Sequence, residues 1–350
     1  MNIKQKNILT LDQYINEALY NKKFGYYMRK NPFGKNGDYI TAPNISVLFS
    51  EMIAIWAVSF WENLGCPKIF NLIELGAGNG EMISQMIKTF EKFPNFKNGC
   101  KINILEKSIY LKNIQKIKLQ NKKVKWLKNF NEISNLPNIF IANEFFDALP
   151  IKQFIKKRGK WYERNVQFIN LKKPRFLDIL INIEKLEKKV GFKISSKQNF
   201  IEFSPLSVEY FKIISKKINL NNGGILIIDY GYNSSLMKNT LQSVNNHKFT
   251  NVLSNFQQSD ITHSINFKIM EKIIKKLNLK ISGFTSQKNF LSNLGILQRA
   301  EILSKNLTFS KKADIYYRIK RLIDKDSMGE LFKVMLASNK QNKFQTGFKN

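Results

Sequence analysis

The chain has 350 residues, of which 43% are hydrophobic, as is typical of a globular protein. That length allows about two domains, or one large domain with an insertion. No apolar run reaches the roughly 20 residues that a membrane-spanning helix needs, and the N-terminus lacks the features of a secretory signal. The two cysteines, Cys66 and Cys100, have the spacing of neither a zinc site nor a disulfide framework. We therefore expect a soluble, cytoplasmic protein without a metal.

The charge is strongly unbalanced, with 57 lysines and arginines, 26 acidic residues and a formal net charge of +31. A basic face that binds nucleic acid would explain it, because such a face attracts phosphates and releases counterions. Coding DNA rich in A and T would also explain it, since the lysines are spread over the whole chain among asparagine, isoleucine and phenylalanine. We favour the second explanation and keep a nucleic-acid partner as the alternative.

The N-terminal part combines helices with an irregular segment. Leu11–Tyr20 has the period of a short amphipathic helix, and Val47–Leu64 places apolar residues on one helical face. Between them, residues 24–43 are rich in glycine and aromatic residues and have neither a helical nor a strand period. This segment is predicted to be an ordered loop or lid.

Strands and helices then alternate, which predicts parallel strands with right-handed crossovers. The predicted strands are Phe70–Leu75, Lys101–Leu105, Val124–Leu127, Ile139–Ala142 and Gly224–Tyr230, with Lys280–Phe284 and Leu331–Ala337 completing the sheet. The predicted helices between them are Glu81–Phe93, Ser108–Gln120 and Ser207–Asn219.

A detour from Lys152 to Phe203 separates the fourth and fifth strands. It contains alternating stretches, Trp161–Ile169 and Arg175–Ile183, which predict inserted antiparallel strands, and the basic run 156–160 falls at a hairpin tip. The expected organisation is thus a lid segment (1–64), a nucleoside-binding domain (65–150 and 204–340) and a β insertion (151–203).

A glycine-rich turn, Glu74-Leu-Gly-Ala-Gly-Asn-Gly80, follows the first strand and opens a helix. Gly76, Gly78 and Gly80 let the backbone turn sharply and approach a ligand closely. The dinucleotide fingerprint has its third glycine at the position of Glu81, and a carboxylate at this helix N-terminus would repel a pyrophosphate. A cationic sulfonium tolerates it, so the turn favours S-adenosylmethionine, although such turns also occur for structural reasons alone.

Two further strand ends carry acidic groups. Glu106 follows the second strand, where a carboxylate can accept both hydroxyls of a ribose; its alternative role is to cap the next helix. The fourth strand ends in Asn143-Glu-Phe-Phe-Asp147-Ala-Leu-Pro150. Carboxylates there suit an arginine guanidinium, a planar fork of five donors that a carboxylate can hold bidentately. The structural alternative is that Glu144 caps the loop while the two phenylalanines are core.

Other polar groups near strand ends are less specific. Glu202 and Asp229 either face the same cleft or serve as turn devices. An isolated histidine such as His263 is more often structural than a general base.

Several segments resemble the MidA-like methyltransferase family, which includes a mitochondrial complex I assembly factor. They span nearly the whole chain in order: Gly25-Tyr-Tyr27, Gly37-Asp-Tyr-Ile-Thr-Ala-Pro43, Phe49-Ser-Glu-Met52, Glu74-Leu-Gly76, the segment 143–150, Ser204-Pro205, Ile228-Asp-Tyr-Gly231, Asp260-Ile-Thr262, Phe290-Leu291, Leu294-Gly-Ile296 and Met328-Gly-Glu-Leu-Phe-Lys333. The resemblance implies an α/β fold, a class I methyltransferase with a Rossmann-like doubly wound sheet, an antiparallel β insertion and an N-terminal lid.

The resemblance also implies symmetric dimethylation of arginine in a protein, such as a respiratory complex I subunit, with S-adenosylmethionine as cofactor. The acceptor residues would be Glu144 and Asp147. The cofactor residues would be Gly37, Thr41, Glu74, Gly76, Ala77, Gly78, Gly80, Glu106 and Asn143. A non-catalytic assembly factor and an RNA methyltransferase are the alternative functions, and the oligomeric state stays open.

The chain departs from the family pattern at three places. Asn44 replaces the glutamate of Pro-Glu-Ile-Ser, and Asn79 replaces the arginine of Gly-Pro-Gly-Arg-Gly. The family's Thr-Ala-His is Thr262-His263-Ser264 here, so His263 is not assigned as a base. Because the glycines are kept, cofactor binding is expected to survive.

Overall fold

A computed structural model of the protein describes residues 7–34, 37–169, 173–245 and 247–349. The predicted lid segment therefore lacks a description at residues 1–6, 35 and 36. The N-terminal elements are β1 (Ile8–Thr10), α1 (Leu11–Tyr20), α2 (Tyr26–Arg29), α3 (Ala42–Ile45) and α4 (Val47–Asn63). The predicted helices α1 and α4 are confirmed. The lid is less irregular than expected, because it contains the two short helices α2 and α3, with Gly25 and Thr41 at their N-cap positions.

The alternating region follows the prediction closely. Its elements are β2 (Phe70–Leu75), α5 (Glu81–Phe90), α6 (Pro94–Gly99), β3 (Cys100–Leu105), α7 (Ile109–Lys118), β4 (Val124–Leu127) and β5 (Asn138–Asn143). The helix predicted to run to Phe93 instead ends at Phe90, and Pro94 starts a separate helix.

The β insertion consists of β6 (Lys152–Lys157), β7 (Lys160–Ile169), β8 (Lys173–Ile181), α8 (Ile183–Val190) and β9 (Phe200–Phe203). All its strand pairs are antiparallel, as predicted, and β1 adds to β7. Arg158 and Gly159 have positive φ at the predicted hairpin tip, as a tight two-residue loop requires. The strand predicted to reach Ile183 ends at Ile181, because the Asn182 side chain accepts from Glu184 N at 2.8 Å and caps α8.

The C-terminal part contains elements that the sequence analysis predicted only in part. They are α9 (Pro205–Asn221), β10 (Gly223–Tyr232), β11 (Gln242–Asn245), β12 (Lys248–Thr250), β13 (Asp260–Thr262), β14 (Ile265–Asn266), α10 (Phe267–Lys276), β15 (Lys280–Ser286), α11 (Gln287–Asn293), α12 (Ile296–Ser304), α13 (Phe309–Ile323), α14 (Met328–Leu331) and β16 (Phe332–Ser338). The small sheet β12-β11-β13 and helices α10 to α14 were not predicted.

The large sheet has the order β15-β16-β10-β5-β2-β3-β4, with β14 pairing beside β10. Strands β4, β3, β2, β5 and β10 are parallel, and β16 runs antiparallel between β10 and β15. The chain turns outward from β2 to β3 and β4, then returns to β5 on the other side of β2. This reversal is the topological switch point at which open α/β sheets bind ligands.

Apolar residues on each central strand alternate between the two faces of the sheet. Leu226 packs into the core on the α4 and α5 side, whereas its neighbour Ile227 packs into the core on the α9 and α10 side. A sheet covered on both faces is what a parallel arrangement requires. A third apolar cluster joins α1, α2 and β1 to Val166 and Ile261, so the lid rests on the insertion and on β13.

Within the described ranges, no helix combines the length and the hydrophobicity that a membrane span needs. No group of three or more histidine, cysteine, aspartate or glutamate side chains is placed to hold a metal ion in the same part of the chain. The proposed division into lid, nucleoside-binding domain and insertion remains a prediction.

Candidate functional site

A cavity of about 890 Å³, including its mouth, opens at the carboxyl ends of the parallel strands. We call it the central cavity; its walls include Tyr20, Tyr27, Phe33, Tyr39, Thr41, Gly76, Gly78, Glu106, Glu144, Phe145, Asp147, Tyr230 and Asp260. A smaller polar annex adjoins it and shares Phe33, Thr41, Gly76, Gly78 and Glu144 with it; the annex alone is lined by Asn44, Glu74, Ala77, Asn79, Glu81 and Asn143, among others.

The glycine turn forms the floor between the two compartments. Gly76 and Gly78 have φ values of 68° and 52°, in the left-handed region that favours glycine. A Cβ on Gly76 would lie 2.8 Å from the Phe145 ring, and one on Gly78 would lie 3.2 Å from the Phe33 ring. Both rings line the central cavity. A side chain at position 76 or 78 would therefore occupy space beside these rings that the glycines leave open.

Two buried oxygens in the annex, Glu74 Oε2 and Asn143 Oδ1, have no hydrogen-bond partner within the part of the chain that the structure describes. Burial, and then the charge of Glu106, raise the pKa of Glu74 to about 8. Unpartnered buried acceptors are costly unless a ligand supplies donors. The ammonium group of a methionine moiety has three donors and a positive charge, so this compartment fits the amino-acid end of S-adenosylmethionine.

Glu106 lies where the sequence places a ribose ligand, in the wall of the central cavity at the end of β3. One carboxylate oxygen accepts from Ser108 N at 2.8 Å, and the other accepts from Gln115 Nε2 at 3.0 Å. Gln115 also donates to Gly78 O at 2.8 Å, which ties the carboxylate to the glycine turn. These bonds orient Glu106, and each of its oxygens keeps capacity to accept a further hydrogen bond.

Glu81 begins α5 and lines the annex, as expected for a group that discourages a pyrophosphate. It also pairs with Lys118 Nζ at 2.5 Å, a contact that the sequence did not reveal. Lys118 lowers the net negative potential at this helix end. The argument against a dinucleotide is therefore weaker at this residue than the sequence suggested.

The two asparagines that depart from the family pattern contact each other. Asn79 Nδ2 donates to Asn44 Oδ1 at 2.9 Å, and Asn44 Nδ2 donates to Thr41 Oγ1 at 2.8 Å. The lid is thus joined to the glycine turn by neutral amide hydrogen bonds at the edge of the annex.

Glu144 projects from the loop after β5 into both compartments. Its backbone φ is 49°, an unfavourable value for a side chain of this size, and such strain is often found at functional sites. The backbone of Ala42, at the start of α3, hydrogen bonds its carboxylate. Burial, and then the nearby Asp147, raise the pKa of Glu144 to about 8.

Asp147 is buried in the same cavity, and its Oδ1 atom has no partner among the described residues. Tyr230 hydrogen bonds its carboxylate, while burial raises the pKa of Asp147 to about 6. The structure therefore brings both predicted acceptor residues into one cavity beside Gly76, Gly78, Thr41 and Glu106. Their roles remain predictions.

Asp260 is the fourth carboxylate that lines the central cavity, after Glu106, Glu144 and Asp147, and the sequence analysis did not assign it to the site. It lies on β13 and accepts a hydrogen bond from Tyr27 Oη at 2.8 Å. Burial, and then Asp147, raise the pKa of Asp260 to about 7. The sequence signal for this residue was the Asp-Ile-Thr segment, which is part of the family resemblance. Its place in the site could not be predicted, because β13 belongs to a sheet that the sequence analysis did not predict.

Five other candidates lie outside both compartments, and one of them, Asp229, is buried on β10 and accepts from the backbone N of Phe146. Gly37 packs against Pro32 in the lid, and Gly80 packs against Gln115 at the start of α5. Glu202 binds Thr240 and Gln153 elsewhere in the structure. His263 is buried, and burial lowers its pKa to about 4, which favours its neutral form.

Substitution Gly78→Val is expected to weaken binding of S-adenosylhomocysteine about 10-fold or more, because overpacking costs about 1–3 kcal/mol. Gly159→Val is the matched control, since Gly159 also has a positive φ but has open space around it. Calorimetric titration of both variants measures the difference. Equal affinity of Gly78→Val and wild type would contradict the placement of the cofactor.

The ligand-free protein is expected to lose thermal stability as the pH rises from about 5 to 8. Glu74, Glu144, Asp147 and Asp260 have raised pKa values in the folded state, so folding favours their protonated forms, and this contribution is lost as the pH rises through those values. Glu144→Gln should unfold at a higher temperature than wild type above pH 8, because an amide does not ionise. Glu301→Gln, an exposed control, should follow wild type in calorimetry; a Glu144→Gln curve that coincides with wild type would contradict the burial of this charge.

Comparison with known proteins supports the cofactor. The model of the family described as "Putative S-adenosyl-L-methionine-dependent methyltransferase" matches residues 52–285. The crystal structure of a protein from Burkholderia thailandensis bound to S-adenosyl-homocysteine has the same fold, with a TM-score of 0.80 at 22% identity, and the match covers 98% of this chain and 89% of that one. The class I methyltransferase fold predicted from the sequence is confirmed.

Two curated relatives are named "Protein arginine methyltransferase NDUFAF7, mitochondrial". The Xenopus laevis protein is 28% identical over 95% of this chain and 81% of its own length. The Homo sapiens protein is 26% identical over 94% of this chain and 80% of its own length. Both relatives are named as mitochondrial proteins, which contradicts the cytoplasmic location expected from the sequence. That expectation was wrong because a low cysteine count fits any reducing compartment. The family match, which spans more than half of the sequence, shows that the chain belongs to this family of S-adenosyl-L-methionine-dependent methyltransferases.

Proposed function

We propose that the protein is a protein arginine N-methyltransferase whose acceptor residues are Glu144 and Asp147. The observation that carries this proposal is the number of carboxyl groups in the walls of the central cavity. Glu106, Glu144, Asp147 and Asp260 all line it, although the chain as a whole has a net charge of +31. A cavity of this kind favours a cationic acceptor.

The one cation in the described lining of the central cavity is Lys107, and it does not neutralise these carboxylates. Its side chain is exposed, and its Nζ atom donates to Asn16 Oδ1 at 2.9 Å and lies 4.3 Å from the centre of the Tyr20 ring. The acidic groups therefore remain available to a ligand. Phosphate groups of RNA would be repelled, so this cavity disfavours RNA as the acceptor despite the basic exterior.

The names of the curated relatives support the same acceptor class, since they describe protein arginine methyltransferases. Arginine also suits the geometry, because its guanidinium offers five donors in one plane to several acceptors at once. We extend the proposal to a respiratory complex I subunit as the acceptor and to symmetric dimethylation as the product, both on the family resemblance.

The residues of the chain have two tasks in such a reaction. When bound, S-adenosylmethionine supplies a methyl group made electrophilic by the sulfonium. Glu144, held by Ala42 at the start of α3, orients one guanidinium nitrogen and stabilises the positive charge around it. As the new N–C bond forms, the S–CH3 bond of the donor would break and leave S-adenosylhomocysteine as a neutral thioether. The guanidinium would lose one proton, which Glu144 or Asp147 would accept; raised pKa values suit both carboxylates to this step.

We expect the purified protein to transfer labelled methyl groups to a nuclease-treated mitochondrial lysate, with methylarginine as the labelled amino acid after hydrolysis. Glu144→Gln should reduce this transfer about 100-fold or more, because it removes the charge that orients the acceptor. Its affinity for S-adenosylhomocysteine, measured by calorimetry, should stay near that of wild type.

Two other results would assign a different function. Label that disappears after nuclease treatment would identify RNA as the acceptor. Binding of the cofactor without transfer to any macromolecule would identify a non-catalytic assembly factor. The exposed Glu301→Gln variant controls for the substitution itself and should retain full transfer.

A further inference from the structure

The central cavity has a second acidic wall, contributed by the lid and by β13. Tyr39 lies in the lid between α2 and α3, and its hydroxyl is buried without a hydrogen-bond partner among the described residues. Burial raises the pKa of Tyr39, and Asp260 is the strongest of the charges that add to this effect, followed by Asp147. The hydroxyl is therefore neutral and close to a group of carboxylates.

The carboxylate of Asp260 is accessible from the cavity but firmly oriented. Its Oδ2 accepts from Tyr27 Oη at 2.8 Å, and its Oδ1 accepts from the backbone N of Ile261 at 2.9 Å. Only 3% of the residue is exposed, which makes an unbalanced charge costly in the absence of a ligand. The backbone N of His263 donates to Asp147 O at 3.1 Å, so β13 is fixed against the loop that carries Glu144.

We propose that Asp260 and Tyr39 bind the acceptor side chain directly, so that the cation is held between the β5 loop and a second wall formed by β13 and the lid. This inference rests on the arginine acceptor proposed above. Glu144 and Asp147 hold some of the guanidinium donors, Asp260 accepts another, and the Tyr39 oxygen accepts a further N–H. The aromatic rings of Tyr27, Tyr39 and Tyr230 add favourable cation–π contacts around the same ligand.

The arrangement explains why the carboxylates come from two elements. A guanidinium has N–H donors along several edges of its plane. A single loop can place acceptors at only some of these edges, so acceptors from a second element are needed for the others. A lysine ammonium is a compact charge that one or two carboxylates satisfy. The second wall thus favours arginine over lysine.

A purely structural role for Asp260 is the alternative, in which it only anchors the lid through Tyr27. The variant Tyr27→Phe separates the two roles, because it breaks that anchor and leaves the Asp260 carboxylate in place. Tyr39→Phe deletes one unpartnered oxygen and keeps the ring, so it should fold normally. Glu202→Gln is a further control, since Glu202 is also a buried carboxylate but lies outside the cavity.

The test begins with protein that is saturated with S-adenosylhomocysteine. In separate experiments this protein is titrated with N-acetyl-arginine methylamide and with the neutral citrulline analogue of that compound. Wild type should bind the arginine compound in preference to the citrulline compound. Asp260→Asn should weaken binding of the arginine compound about 10-fold or more, and Tyr39→Phe about 3-fold or more, because both lose a hydrogen bond to a charged group. Glu202→Gln should bind it as wild type does, whereas Tyr27→Phe, which loses one of the two hydrogen bonds that orient Asp260, should lose less affinity than Asp260→Asn. All variants should keep their affinity for S-adenosylhomocysteine.

Binding of the arginine compound by Asp260→Asn at wild-type strength would overturn the second wall. The same conclusion follows if Tyr27→Phe loses as much affinity as Asp260→Asn, or if wild type does not distinguish the two compounds. A different result would contradict the proposed function, namely the absence of methylarginine in the transfer assay. A protein that binds the arginine compound through Asp260 but forms no methylarginine would keep the second wall and lose the assigned activity.

Discussion

The site depends on the buried carboxylate of Asp229 at the end of β10. Its Oδ2 atom accepts from the backbone N of Phe146 at 3.0 Å and from that of Asp147 at 3.3 Å. The backbone N of Glu144 is held by Ile228 O at 2.9 Å, also on β10. These bonds fix the loop after β5 to the neighbouring strand. They also maintain the positive φ of Glu144, so the strain at this residue is balanced by its surroundings.

The sequence predicts the parallel core well because several independent signals agree there. Buried strands such as Phe70–Leu75 are continuous apolar runs with clear boundaries, and the strand order of an α/β unit then brings the glycine turn and the Asn143 segment to the same edge. The second wall is different. Tyr39 and Asp260 are far apart in the chain, and β13 is a three-residue strand without a readable period. Only tertiary packing of the lid on β13 brings these two residues together.

The contact between Asn44 and Asn79 shows how a departure from a family pattern can be interpreted. The family pattern has a glutamate and an arginine at these positions, and taken singly each change removes a charged group. In the fold, the two asparagines form one hydrogen bond of 2.9 Å between the lid and the glycine turn. A neutral amide pair loses less solvation free energy on burial than a pair of opposite charges would. In this chain the two residues join the lid to the glycine turn without a charged group.

The charged groups on the exterior of the protein and those in the central cavity act separately. Lysines and arginines on the exterior give the chain its net charge of +31, whereas the central cavity is lined by carboxylates that burial and mutual repulsion keep in their less charged forms. Exterior cations in water interact weakly with the cavity, because solvent and salt screen them within about 10 Å. Within the cavity a bound cation meets little screening, and its arrival stabilises the ionised carboxylates that the empty site disfavours. The net charge therefore bears on how the protein associates with its surroundings, whereas the buried carboxylates are the groups to which we attribute the choice of acceptor.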